Sequence, residues 1–396
     1  MKKIKNHKIL VVLTFSIMLV FGIIVNLKGQ INPLIQEDYG INNTKLGLVL
    51  TLFSIGGIMV SLFSGELIKK FNLKKFFLGG ALIAIISLIT LSYINNYYLL
   101  MIIMGFMGIG ISAINVVANS LASRVFVKNR GRMMNLFHLF FGVGGYLAPL
   151  YANRVFSLGF EWEATYSFSI IFIFYIILFA TFCKFPKEER GLEQEDKQRE
   201  VNVWNILKDT RVIIFVLMFL INVGVEIGSV SWLGVYLDTV QERSKVEIGF
   251  YISLYFGLFT LGRFLASFIV EKLGYLKMVL ICVLGSAISI FLGVVGPNYF
   301  VFFLSLTGFF AAANFPTIQA AMFETFEDNI SVIIGLTLAA GELGNIFLAN
   351  LLIGFINDLL GVKIGYSIMI FYLLLLAGLV FYLKTVHTDK KVTRVN

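Results

Sequence analysis

Charge is what this chain of 396 residues has least of: Asp, Glu, Lys and Arg together make up 14% of it, where a soluble globular domain carries roughly 25%. So few charges cannot cover the surface of a water-soluble protein of this length. Cysteine is scarce as well. Cys183 and Cys282 stand in separate apolar stretches without metal-ligand spacing, which excludes a disulfide framework and a metal site built on them. Of three histidines, His7 and His387 lie in the chain ends, and His138 alone stands where chemistry could use it. Paired histidines and a Ser-His-Asp grouping at depth are missing, so the chain does not read as an enzyme. The G-x-x-x-x-G-K-[ST] loop of an ATP-driven pump is missing too.

What is present is apolar. Hydrophobic residues make up 58% of the chain, and the 36 glycines raise that share to about two thirds, against roughly 45–50% for a globular domain counted the same way. Forty phenylalanines add to the excess. A soluble core could not bury so much, and a disordered chain would not contain it. The composition is that of a protein that lives in a lipid bilayer.

Apolar runs of span length fall near 8–27, 45–68, 76–94, 97–121, 133–157 and 164–183, and again near 211–237, 247–270, 277–296, 299–323, 330–356 and 364–385. The first has the basic flank of a signal peptide, but its length and the lack of a small-residue cleavage site make it an uncleaved span. Twelve spans put both termini on one side. With the termini inside, 25 Lys and Arg fall in inner segments and five in outer ones, leaving Lys28 and Arg263 within spans. That asymmetry sets the orientation, with cytoplasmic termini in the cell membrane. It also accounts for the net charge of +9 without nucleic acid as a partner.

The stretch 184–209 carries 13 charges in 26 residues and divides the spans six to six. The organisation read from this is an N-terminal bundle over 1–183, a cytoplasmic linker over 184–210 and a C-terminal bundle over 211–396. A shift of 202 residues aligns Leu46–Lys75 with Ile248–Lys277 without a gap, placing Gly47 on Gly249, Leu52 on Leu254, Lys70 on Lys272 and Lys75 on Lys277. These matches at the second and eighth spans point to an internal duplication. The expected fold is all-α, two pseudo-symmetric six-helix bundles of the kind that work by alternating access.

After the second span the chain reads Gly65-Glu66-Leu67-Ile68-Lys69-Lys70-Phe71-Asn72-Leu73-Lys74-Lys75. This resembles the cytoplasmic loop signature of the major facilitator superfamily, departing from it at Lys69, Asn72 and Leu73. The two lysine pairs are similar to the fucose/glucose:proton symporter branch. So are Ile114-Asn115-Val116-Val117-Ala118-Asn119, the run Asn135-Leu136-Phe137-His138 leading to Gly142 and Gly144, Asn222-Val223-Gly224-Val225-Glu226 with Trp232 beyond it, Gly262-Arg263-Phe264, and Phe315-Pro316-Thr317. The resemblance implies proton-coupled uptake of a monosaccharide or sugar-like solute by a monomeric carrier without a cofactor. Two departures stand out. Relatives carry an acid in span one, three to four residues before a proline, where this chain has Gly29 and Gln30. They carry another in span four, where it has Asn115.

Glu226 lies near the middle of its span, where an acid costs roughly 2.5–3.5 kcal/mol to insert. It is the first candidate for carrying a proton, with Glu342 and His138 as further ones. Asn222 and Ser229 extend the Glu226 face. Candidate solute contacts are Asn115, Asn119, Asn222, Asn135 and Asn345, whose amides both donate and accept, with Trp232 and Phe315 as stacking surfaces. Arg263, Lys69 and Lys70 are candidate gate residues, Arg263 with Glu324 as a possible ion-pair partner. Lys28 is expected near the outer surface, snorkelling. The competing readings are a proton-antiport exporter of drugs or metabolites, and a sensor that keeps the fold without transporting.

Overall fold

The computed structural model describes residues 7–126, 130–186, 206–326 and 329–393, and among these every regular element is helical. Most of the linker expected over 184–210 lies outside the described residues. Eleven stretches are long and apolar enough to cross a membrane. In chain order, span one is His7–Tyr39, span two Asn43–Phe71, span three Leu73–Tyr93, span four Tyr97–Val125 and span six Trp162–Thr181. Span seven is Thr210–Ser231, followed by the short helix Leu233–Thr239. Span eight is Lys245–Leu273, span nine Tyr275–Val295, span ten Asn298–Thr325, span eleven Val332–Leu360 and span twelve Val362–Thr385. Between spans four and six, Arg130–Ser157 forms a twelfth long helix, span five. Its basic first turn and its glycines make it less apolar than the rest.

The chain divides into two compact units. The first takes in the chain up to Gln194 together with Ser244–Ser253; the second takes in Glu195–Arg243 and Leu254 onwards. In the first, span four packs on spans two and three, and span five on span one. In the second, span seven packs on span eleven, and span nine on spans ten and twelve.

The 202-residue register seen in the sequence recurs in the helices. Asn43–Phe71 and Lys245–Leu273 are both 29 residues long and begin 202 positions apart. Each ends in a residue of positive φ, Asn72 (φ 64°) and Gly274 (φ 82°), and each is followed at once by another helix. Asn is the side chain best able to replace glycine there, and its Oδ1 also caps span three by accepting from the Lys75 amide at 3.0 Å. Close helix approach repeats as well. A Cβ at Gly22 would lie 2.5 Å from the Phe141 carbonyl oxygen, and one at Gly144 2.5 Å from that of Leu19. The corresponding pair in the second unit is Gly224 and Gly344, where a Cβ on Gly344 would collide with the Leu220 carbonyl. Small residues let helix backbones touch where lipid supplies no hydrophobic drive for association.

Span one runs well past the end expected near residue 27. Hydropathy falls at Lys28, Gln30 and Asn32, yet the helix continues to Tyr39 with Pro33 inside it. Gly29, Gln30, Ile31, Asn32, Pro33, Leu34 and Ile35 are all buried. Their surroundings are protein rather than lipid, which a hydropathy reading does not distinguish from a loop. Lys28 is therefore inside this helical stretch rather than at its end.

Candidate functional site

Glu226 lies at the seventeenth position of the 22-residue helix of span seven, half-buried in the second unit. Arg263 of span eight is its principal charged neighbour. The arginine is held in place by two further contacts: its Nε donates to the Ala312 carbonyl at 3.2 Å, and its guanidinium lies 4.7 Å above the Phe259 ring. Asn222, one turn before Glu226, faces the carboxylate. It is 3% exposed, and its side chain is directed to that carboxylate. One turn after Glu226, the buried Ser229 hydroxyl lies 3.0 Å from the Tyr255 hydroxyl and donates to the Glu226 carbonyl at 3.0 Å. Tyr366 donates to the Ser229 carbonyl, also at 3.0 Å. An acid, a guanidinium, an amide and two phenolic hydroxyls thus converge on one stretch of span seven. Such a group can hold a proton, exchange it for an ion pair, or hydrogen-bond a polar solute.

The other residues singled out in the sequence of the second unit are placed differently. Trp232 marks the break after span seven; it is fully buried, and its Nε1 donates to the Ala349 carbonyl at 2.7 Å. The ring is enclosed by its own unit and braces it, leaving no face for a solute to stack on. Phe315 is half-buried and meets Phe219 edge-on at 5.1 Å. Glu342 is exposed, two residues ahead of a π-helical stretch, Gly344–Leu352. Within that stretch Asn350 donates to the Asn345 Oδ1 at 3.3 Å. Wide π turns occur often at functional sites, and no sequence pattern announces this one.

In the first unit, Asn115 and Asn119 are both half-buried on span four. The Asn119 amide donates to the Asn115 carbonyl and to its Oδ1, each at 2.9 Å. Asn119 therefore fixes the Asn115 side chain through its Oδ1. His138 is half-buried and edge-on to Phe137 at 5.2 Å. The side chain of Asn135 lies outside the described residues. Lys69 and Lys70 are exposed at the end of span two, with Lys70 Nζ 5.4 Å over the Phe71 ring. Gln30, at the place where relatives carry an acid, is an amide clamp. Its Nε2 donates to Asn153 Oδ1 at 2.6 Å and to the Lys245 carbonyl at 2.9 Å, while Asn153 donates to the Val246 carbonyl at 3.2 Å. A Cβ at Gly249 would sit 2.6 Å from both amides, which explains the glycine there. Sequence reasoning noticed only what Gln30 is not.

Two stretches, residues 10–244 and 240–395, match the family model of the Major Facilitator Superfamily. The chain belongs to that superfamily. Among curated proteins, a protein TsgA homolog of Buchnera aphidicola subsp. Acyrthosiphon pisum (strain 5A) is 22% identical over 383 residues, which is 94% of this chain and 95% of the relative. The yeast "Bypass of stop codon protein 6" is 22% identical over 288 residues; that match takes in 67% of this chain and 58% of the yeast protein's length. Three solved structures share the fold. A point mutant of the nucleoside transporter NupG superposes with a TM-score of 0.79 at 13% identity, covering 96% of this chain and 99% of its own. A D-xylose-proton symporter gives 0.78 at 16%, over 95% and 97%. The transporter FucP in an outward conformation gives 0.65 at 16%, over 96% and 99%. This superfamily member is a multi-pass transporter, with the all-helical fold expected from its sequence.

Proposed function

We propose that this transporter is a secondary active carrier coupling the uptake of a monosaccharide or sugar-like solute to protons, in the cell membrane with its termini cytoplasmic. The observation that carries the reading is the group around Glu226. A carboxyl in span seven stands beside Arg263 and beside Asn222, whose buried amide faces it. An acid within a span is a functional candidate by default, and a polar solute arriving at this place would meet both the carboxyl and the amide. The carboxyl can take a proton and so remove its charge from the neighbourhood of Arg263, then give the proton up and restore it. In the first unit Asn115, held by Asn119, offers an amide donor suited to a hydroxyl. Proton symport is also what the xylose structure is described as performing.

The test is uptake of a panel of labelled monosaccharides into proteoliposomes holding the purified protein, with and without an inward pH gradient. Accumulation of one sugar above its external concentration, only with the gradient, is the expected result. Efflux of solute driven by the same gradient would instead establish an antiporter, and no movement of any solute would favour a sensor.

A further inference from the structure

Span eight is a single helix, Lys245–Leu273, yet Ser244–Ser253 belong to the first unit and Leu254 onwards to the second. Three hydrogen bonds hold the head of this helix to spans one and five. Gln30 Nε2 donates to the Lys245 carbonyl at 2.9 Å, Asn153 Nδ2 to the Val246 carbonyl at 3.2 Å, and Ser253 Oγ to the Tyr146 carbonyl at 3.0 Å. A fourth, from Gln30 Nε2 to Asn153 Oδ1 at 2.6 Å, joins the two amides. The carbonyls settle which way the amides point. A backbone carbonyl only accepts, so the atoms facing Lys245 and Val246 are nitrogens, and Asn153 Oδ1 is left for Gln30. Both amides reach backbone on span eight, which requires the helix to be bare at this place. Gly249, one turn after Lys245, makes it so: a Cβ there would lie 2.6 Å from Gln30 Nε2 and from Asn153 Nδ2.

Three features mark a contact that is built to part. Gln30 stands between two weak points of span one, the turn at Leu27 and Pro33. Proline lacks the N–H that would bond the Gly29 carbonyl, so this length of helix bends more readily than its neighbours. The Gln30 Oε1 is buried, in a residue 1% exposed, and has no hydrogen-bond partner among the described residues. A buried acceptor without a donor weighs against the arrangement that buries it, and water reaching the parted surfaces relieves it. The donors, finally, are neutral amides, so parting strands no ion.

We propose that Gln30 and Asn153 form a latch on the head of span eight, made in this state of the carrier and released in another state of its cycle. Gly249 is the residue that admits both amides to the backbone. With the amides withdrawn, the first turns of span eight lose the bonds that tie them to the first unit, while the rest of the same helix stays with the second. The latch acts on the motion and not on the solute. It therefore stands whether or not the transported molecule is a sugar, and whether or not protons drive it.

The experiment is hydrogen–deuterium exchange on the purified full-length protein, read on peptides from residues 246–253 and, for internal reference, 257–273. Two variants bracket wild type. Gln30→Leu removes the amide at similar bulk. Asn153→Cys with Gly249→Cys, in a background of Cys183→Ala and Cys282→Ala, locks the contact. A Cβ at 249 lies within 2.7 Å of both ends of the Asn153 amide, which sets the two Cβ atoms about 4 Å apart, in the range a disulfide needs. Exchange over 246–253 should be at least about tenfold faster in Gln30→Leu than in wild type, and at least about tenfold slower in the oxidised double-cysteine protein, with 257–273 unchanged. Reduction should reverse the slowing. Equal exchange in Gln30→Leu and wild type would show that the amide holds nothing, and equal exchange in locked and wild-type protein would show a brace that never opens. Failure of the disulfide to form would place the two residues apart, and faster exchange spread evenly over 257–273 would be general loosening. Each of these four results overturns the proposal. Should Gln30→Leu fail to fold, Gln30→Glu, which keeps the shape and sets an oxygen against both acceptors, takes its place with the same expectation.

Discussion

The Trp232 indole donates to the Ala349 carbonyl across 2.7 Å, fastening the break after span seven to the π-helical stretch of span eleven. Gly228 is involved in the same seam: a Cβ there would come within 3.6 Å of the Ala349 backbone. Widened turns loosen the helix's own hydrogen bonding, and the indole supplies a donor from outside. Trp232→Phe keeps an aromatic ring but deletes that donor, leaving a buried carbonyl short of one. The cost should be about 1–3 kcal/mol, read as a lower melting temperature of the purified protein. A melting temperature equal to that of wild type would show that the indole fills space and nothing more.

Asn72 provides the opposite case, a residue whose replacement should stabilise. Its φ of 64° and ψ of 159° place it in a region suited to glycine, where another residue costs about 1–3 kcal/mol. Gly274, its counterpart in the repeat, has φ 82° and ψ 146°. Asn72→Gly loses the cap on span three, but glycine at such a position gives up only a few tenths of a kcal/mol. The melting temperature should rise, and Asn72→Ala, which loses the cap and keeps the strain, should lower it. If both variants melt below wild type, the cap outweighs the backbone.

These residues mark what the sequence disclosed and what it withheld. Hydrophobic runs locate helices because lipid demands them, and the 202-residue register was visible because the duplication keeps lysines and glycines in step at both copies. Gly65–Lys75 and the Asn222–Glu226 run carried the superfamily in their residues. The continuation of span one past Lys28 was hidden, since a polar helix buried in protein has the hydropathy of a loop. The nearness of Glu226 to Arg263 was hidden also. The two are 37 positions apart, and only helix packing brings them together; Glu324 was as good a partner on paper. The enclosure of Trp232 and the π turn that meets it depend on neighbours no local pattern encodes.

Asn119 tests whether an amide can act through another. It holds Asn115 by two hydrogen bonds of 2.9 Å, so it positions the side chain proposed to meet a solute hydroxyl. Asn115→Ala should weaken apparent affinity by roughly one to two powers of ten, the equivalent of about 1–3 kcal/mol for a buried polar group left unpaired. Asn119→Ala should raise KM by less and leave the order of preference among sugars unchanged, because the contact itself survives. A change in that order on Asn119→Ala, with Asn115→Ala silent, would exchange the two roles.

The decisive variant is Glu226→Gln. Spans one and four hold Gly29, Gln30 and Asn115 where relatives carry acids, and none of these can titrate. Glu226 is the half-buried carboxyl of span seven with a cation for a neighbour. Glutamine keeps its shape and fixes the neutral form, which mimics the protonated state and leaves Arg263 without its counter-charge. A carrier so altered can still bind solute and change state when loaded, but it can no longer cycle its proton. Uphill, pH-driven accumulation should therefore disappear while exchange of labelled for unlabelled solute across a membrane loaded on both sides continues. Arg263→Gln provides the complementary measurement: removing the neighbouring cation should change the pH dependence of accumulation, and an unchanged profile would separate Arg263 from the coupling step. Accumulation by Glu226→Gln against a gradient would shift the search to Glu342 and His138. Wild type indifferent to pH, in turn, would identify a facilitator or a carrier coupled to another ion.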